Sequence, residues 1–379
     1  MIKYFSSESV TKGHPDKVCD LIADKILDAI LQQDPLSRVA VEASVISHFC
    51  HIFGEVTTKA SVDYEAIVRE TIKNIGYTKA EYGFDYQSVE VLVNLTTQSS
   101  DIALGVDKEG AGDQGIMFGY ACDETAQYMP LAISYAHDLA YRLALVRQEG
   151  ILPYLRPDGK TQVTIKYDGE KVLGVSAVVV SAQHDPNISH EQIYQDLMRE
   201  VIVPVVGKSL LPETKFYINP TGSFVIGGPA GDSGLTGRKN IVDTYGGYAR
   251  HGGGSFSGKD ATKVDRSATY MARYLAKNIV AAGLCRKCEI EISYAIGVIE
   301  PLSVYLDTFN TGVVSDKKIL DYLRSHISLA PSNIIKTLGL RRPFFSKTTN
   351  YGHFGKSDPD FWYERLDLVE GFKTLLKGV

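Results

Sequence analysis

Apolar positions along the chain follow two periods. Val18, Leu21, Ile22, Ile26, Ala29 and Ile30 recur at helical spacing behind Pro15, which suits a first helical position, so a helix is predicted over 15–32. Further helices are predicted over 63–75, closed by Gly76, and over 123–148, where Ala132, Tyr135, Leu139, Leu143 and Val146 stay in register. Ser189 and Gln192 form a capping box that opens a helix through about Val203. Ala268, Met271, Ala272, Leu275 and Ile279 mark a last long helix over 265–282, closed by Gly283.

Between these runs the period drops to two. Val39, Val41, Ala43 and Val45 share one face, as do Val89, Val91, Val93 and Leu95, and Ile290, Ile292, Tyr294 and Ile296. Residues 161–167 and 172–182 read as a hairpin about Asp168-Gly169, with a loop slightly long for the tightest type. Alternation implies sheets with one covered face, hence a mixed α+β protein with antiparallel-rich sheets covered by helices. A weak repeat links Ala111-Gly112-Asp113-Gln114-Gly115 to Ala230-Gly231-Asp232-Ser233-Gly234, which suggests three units of about 100–150 residues.

Composition narrows the classes. The 379 residues carry 40 Lys and Arg against 45 Asp and Glu, a net charge of −5, with 44 % hydrophobic residues. That excludes a disordered chain and disfavours a nucleic-acid partner, which calls for a basic surplus. No run approaches about 18 consecutive apolar residues, so no membrane span is expected. The N-terminus lacks a basic flank leading into an apolar run, and the five cysteines are too sparse for a disulfide framework. The lone Cys285-Arg286-Lys287-Cys288 has no second pair to complete a zinc site. We therefore expect a cytoplasmic protein with reduced thiols.

Glycine is the uneven residue. Of 34, five lie within 105–119 and twelve within 222–258. Gly110–Gly115 fits GxGxxG, but no apolar strand precedes it. Gly253–Lys259 fits GxxxxGK, but Asp260 stands where a P-loop needs Ser or Thr. Neither is a nucleotide fingerprint, yet 231–266 gathers Arg238, Lys239, Arg250, Lys259, Lys263 and Arg266 among glycines, as a polyphosphate site requires. Lys259 and Lys263, four apart, would face the same way on a helical turn. Gly13-His14-Pro15-Asp16-Lys17 sets an imidazole, a carboxylate and an ammonium at a helix N-terminus, which suits an anion with its magnesium. Asp265 similarly opens a helix. Asp16, Asp20, Asp24 and Asp28 recur every four residues, which predicts a solvated stripe. Glu42 is an acid in mid-strand. No nucleophile elbow is present.

Ser7-Glu8-Ser9-Val10 with Gly13–Lys17, the Gly110–Gly115 hexapeptide, Gly227-Gly228-Pro229 through Gly247, His251 through Arg266, and Tyr351-Gly352-His353-Phe354-Gly355 are long, specific motifs. On them the chain resembles the S-adenosylmethionine synthetase (methionine adenosyltransferase) family from end to end. The resemblance implies three similar α/β-sandwich-like domains with pseudo-threefold symmetry. It divides the chain into 1–98, a mobile active-site loop 99–112 containing Ile102, 113–226 and 227–379. It implies that the sulfur of L-methionine attacks C5′ of ATP and expels triphosphate, which is then cleaved to diphosphate and phosphate. A thioether has no proton to lose, so no general base is needed, and the burden falls on the leaving group's charge.

The resemblance also implies roles. His14, Arg238, Lys259 and Lys263 would be catalytic. ATP would meet His14, Asp158, Lys160, Ser223, Phe224, Asp232, Arg238, Lys239, Ser255 and Lys259, with Phe224 stacking on adenine. Methionine would meet Glu55, Gln98, Asp232 and Lys263. Asp16 and Asp265 would hold two magnesium ions and Glu42 one potassium ion. Active sites would lie between subunits of a homodimer or a dimer of dimers. Many bacterial members carry Arg at Ser223, Ala at Ser255 and a gating loop about five residues longer. Two other classes share the phosphate cradle: a phosphotransferase, which would release ADP, and a nucleotide-binding regulatory partner, which would not turn over alone.

Overall fold

The computed structural model describes residues 1–97 and 110–377. Eleven strands are described: β1 (Ile2–Val10), β2 (Arg38–Ile46), β3 (Phe49–Thr57), β4 (Glu90–Thr96), β5 (Gly115–Cys122), β6 (Leu155–Asp168), β7 (Lys171–His184), β8 (Lys215–Ile218), β9 (Gly234–Leu235), β10 (Lys287–Tyr294) and β11 (Ser303–Asp307). They form three sheets, ordered β1-β6-β7-β8, β4-β3-β2-β9 and β11-β10-β5. Pairing is antiparallel except for β3 with β4 and β7 with β8. The fold is α+β, with mixed, antiparallel-rich sheets.

One long helix backs each sheet: α1 (Pro15–Gln33) lies on β2, α3 (Leu131–Gln148) on β6 and β1, and α5 (Val264–Ala281) on β5 and β10. Shorter helices α2 (Tyr64–Ile75) and α4 (His190–Leu197) complete the layers. Two apolar clusters result. One joins α1, α5 and the sheets they back; the other lies between α3, α4 and the β6–β7 hairpin. Each sheet takes one strand from a distant stretch of chain: β1 pairs with β6, β5 with β10, and β9 with β2.

Local chemistry explains where the elements stop. Asp63 accepts the Ala66 amide at the start of α2, and Gly76 closes it in the left-handed region at φ 116°. The helix predicted over 123–148 begins only at Leu131. Thr125 folds the preceding residues into a turn through both the amide and the carbonyl of Met129, and Pro130, which has no N–H, takes the cap position. The helix opened by Ser189 runs to Leu197, widens over Met198–Ile202, and ends at Val206. Pro204 cannot donate to a carbonyl four residues back, and the Val203 amide reaches five back, to Met198. Only half the capping box forms: Ser189 accepts the Gln192 amide, while the Gln192 side chain turns to Asp196.

Gly169 and Glu170 alone connect β6 to β7, a tighter turn than the sequence suggests. Ile296 lies beyond the end of β10 and is exposed. Gly110–Gly115 leads into a strand, not a helix, in agreement with its rejection as a dinucleotide fingerprint. Cys285 and Cys288 are free and buried. Strand β1 was not foreseen from the sequence; its outer residues are largely exposed and carry little alternation.

Candidate active site

The N-terminus of α1 is the centre of the arrangement. His14 occupies the cap position, and its Nδ1 accepts the Asp16 amide at 3.1 Å. A ring nitrogen that accepts an N–H carries no proton of its own, so the neutral ring is protonated on Nε2. Burial pushes the His14 pKa down to about 3, and the charges of Lys239, Lys160, Lys17 and Arg238 push the same way. Arg238 Nε lies 3.5 Å and Lys239 Nζ 3.3 Å from the buried Asp16 carboxylate. Four cations thus act on one imidazole, and two of them also meet the Asp16 carboxylate, where the helix end is itself positive.

Asp158, near the start of β6, borders this group. It is buried, and its Oδ2 accepts the Gly228 amide at 2.8 Å, while Oδ1 has no partner among the described residues. Burial raises its pKa to about 6 against the pull of the Gly228 amide and Lys160, with Asp232 raising it further. Lys160 and Asp232 are exposed at the same mouth. Phe224 is half-buried beside exposed Ser223. Its amide donates to His184 Nε2 at 3.0 Å, its carbonyl accepts the His184 amide at 3.0 Å, and its ring lies over Gly227, where a Cβ would come within 2.6 Å of it.

The glycine-rich strap before α5 holds the other cations. Lys259 Nζ pairs with Asp265 at 2.7 Å, and Lys263 Nζ with Asp260 at 2.7 Å. They share no helical turn: Lys259 bridges to Ala40 through its backbone, and Lys263 caps α5. This strap touches the glycine-rich strap 227–239, which carries Arg238 and Lys239, where Gly237, at φ +75°, meets Ser255, at a point where a Cβ would lie 2.4 Å from the serine Cβ.

Glu42 and Glu55 project from the other side of the β4-β3-β2-β9 sheet, the face carrying Ala40, Phe53 and Leu92. Burial raises the Glu42 pKa, opposed by a hydrogen bond from Thr236 and by Lys259. Glu42 has no ion-pair partner among the described residues. Gln98 and most of the 99–112 loop lie outside the described residues. Asp16 and Asp265 are lone carboxylates; among the described residues no three His, Cys, Asp or Glu side chains converge as a metal cage. That donor set fits magnesium, which takes one or two carboxylates and completes its octahedron with phosphate and water. A desolvated Glu42 with no ion-pair partner among the described residues fits a monovalent cation.

The acid stripe of α1 is the main correction. Asp16, Asp20 and Asp24 are buried, not solvated, and Asp28 is half-buried. Each accepts backbone amides from a distant segment: Asp16 from Leu235 at 3.1 Å, Asp20 from Gly237 at 2.9 Å, Asp24 from Gly258 at 2.8 Å, and Asp28 from Phe345 and Ser346 at 2.8 and 2.9 Å. A signal was present in the sequence. Leu27 and Leu31 stand three residues beyond Asp24 and Asp28, so apolar side chains interrupt the acidic face.

Fold and site together define a three-sheet α+β protein whose glycine straps gather cations and lone carboxylates around a helix N-terminus, equipment suited to a polyphosphate substrate. Three family descriptions match along the chain: S-adenosylmethionine synthetase, N-terminal domain, over residues 2–100; central domain, over 108–224; and C-terminal domain, over 226–365. The S-adenosylmethionine synthase of Clostridium tetani (strain Massachusetts / E88) is 54 % identical over 391 residues, covering 99 % of this chain and 100 % of the relative. The chain belongs to the S-adenosylmethionine synthetase family.

Proposed function

We infer that this chain makes S-adenosyl-L-methionine from L-methionine and ATP, the sulfur displacing triphosphate from C5′. The match of all three family segments carries this reading. The site geometry supports a division of labour. His14 offers an Nε2–H to the leaving oxygen and, with a pKa near 3, stays neutral at working pH. Arg238, Lys239, Lys160 and Lys259 take the phosphate charge. Asp158, with an unfilled Oδ1, and Phe224 hold the nucleoside, next to Ser223 and Ser255. Glu55, Gln98, Asp232 and Lys263 position methionine.

Asp16 and Asp265 would hold the two magnesium ions, and Glu42 the potassium ion. These cations, when bound, supply positive charge that neutralises phosphate oxygens and the Glu42 carboxylate. The five cysteines are buried and unbridged, which supports a reducing, cytoplasmic setting. No helix among the described residues is long and apolar enough to cross a membrane.

A site completed by a second copy of the chain is supported by the sheet face that bears Glu42 and Glu55. Ile46, Phe49, Leu92 and Leu235 stand on that face at 57 %, 44 %, 54 % and 37 % exposure. So much apolar surface on one sheet face calls for a cover, and an identical chain would complete a homodimer or a dimer of dimers. The domain division 1–98, 99–112, 113–226 and 227–379 is part of the same proposal.

Product analysis tests the reaction. Purified chain with ATP, methionine, magnesium and potassium should yield a sulfonium product plus diphosphate and phosphate. ADP as the nucleotide product would replace this reading with phosphoryl transfer, and absence of turnover would replace it with a regulatory role.

A further inference from the structure

We propose that Asp20 is a positioning residue for Arg238, holding the strap on which that cation is mounted. Asp20 is fully buried in the second turn of α1. Its two oxygens are committed to different partners: Oδ1 accepts the Gly237 amide at 2.9 Å, and Oδ2 accepts from Lys17 Nζ at 2.9 Å. Gly237 immediately precedes Arg238, so the pinned amide sets the direction in which the arginine leaves the backbone.

The strap needs such a pin. Gly237 sits at φ +75°, one residue past Thr236, whose amide donates to the Ala43 carbonyl of β2 at 3.0 Å, and Ser255 closes the other side. The pin is braced at both ends. Asp16 holds the Leu235 amide at 3.1 Å, and Lys17 reaches from Asp20 to Asp243 at 2.7 Å, beyond the strap's far end. Asp24 bears the same relation to the second strap: it accepts the amide of Gly258, the residue before Lys259, at 2.8 Å. One helix face thus sets two phosphate-directed cations through the amides that precede them. Asp20 touches no reacting atom; its effect passes through Arg238. The proposal rests on the reading that Arg238 meets the triphosphate.

A double-mutant cycle on the full chain with magnesium and potassium tests it, with inorganic tripolyphosphate as the probe in calorimetry and steady-state turnover alongside. Arg238→Ala should weaken tripolyphosphate about tenfold or more, and Asp20→Ala by a similar factor. The double variant should lose clearly less than the product of the two single losses, because the pin then has only Lys239 left to aim. Asp20→Asn leaves one oxygen for two donors, the Gly237 amide and Lys17 Nζ, and should bind between the parent and Asp20→Ala. Lys17 keeps Asp243 in every variant, so no bare buried charge is created.

Binding by Asp20→Ala within twofold of the parent, losses that multiply in the double variant, or an Asn variant as weak as the Ala variant would each overturn the proposal. If neither Asp20→Ala nor Asp20→Ser accumulates as folded protein, Asp20 serves stability alone and the proposal falls. An Arg238→Ala chain with parental binding removes Arg238 from the site, and the failure is then of the site reading itself.

Discussion

His14 keeps its imidazole neutral because protonation would place a positive charge, out of water, among Lys239, Lys160, Lys17 and Arg238. The consequence for stability has a definite sign. An unfolded histidine takes its proton near pH 6.5, and the folded one only near 3. Between those values the unfolded state binds more protons, so His14 supports the fold fully above pH 6.5 and loses that support as pH falls toward 3. His14→Asn should therefore shrink the drop in thermal midpoint between pH 7 and pH 4; an undiminished drop would contradict a buried neutral ring. Lys259 is a charge effect of another kind. In the proposed function its ammonium, 2.7 Å from Asp265, faces the leaving triphosphate, so Lys259→Ala should raise the barrier by about 2–4 kcal/mol, roughly 30- to 1000-fold in turnover at saturating substrates. Unchanged turnover would take Lys259 out of the site.

At the scale of elements, α1 does most of the organising. Its apolar residues fill the core under β2, and its acids fasten the straps that cross it. Asp24 shows the energetics. Burial works to raise its pKa, but a two-pronged contact from Arg266 at 2.6 and 2.8 Å, with the Gly258 amide and Thr349, holds the carboxyl below its usual range. Asp24→Asn would leave a fully buried guanidinium without its counter-charge and should destabilise the chain by about 3–5 kcal/mol, read as a lower midpoint in urea. A midpoint equal to the parent's would show that Arg266 finds another partner. The helices most legible from sequence, α1, α2 and α5, are those with a proline, a side-chain cap or a closing glycine at their ends. Residues 123–130 were misread because the apolar register runs on through a turn that Thr125 and Pro130 impose.

Across the whole molecule, sheets assembled from distant strands bring the straps to α1. Strand β9 pairs with β2, which sets Leu235 and Gly237 over Asp16 and Asp20. The same sheet leaves Ile46, Phe49, Leu92 and Leu235 uncovered beside Glu42 and Glu55. Leu92→Asp, at a position already 54 % exposed, should leave the fold of one chain intact while shifting sedimentation toward the monomer and cutting turnover at least about tenfold. A variant that sediments and turns over like the parent would show that this face is not where the chains meet.

The sequence by itself determined the types of element, most helix ends, the glycine straps and their cations, because caps, periods and compositions are local properties. It also carried the family motifs, and with them the candidate ligand residues. Only the tertiary structure decided that the acids of α1 face inward. Four-residue spacing is the same for a solvated stripe and for a row of buried clamps, and what separates them is whether other segments cross that face. Those segments, at 234–237, 258 and 345–346, lie more than 200 residues from the acids they meet. Leu27 and Leu31 hint that this face is covered, but which segments cover it is set by assembly of the sheets, which no local pattern encodes.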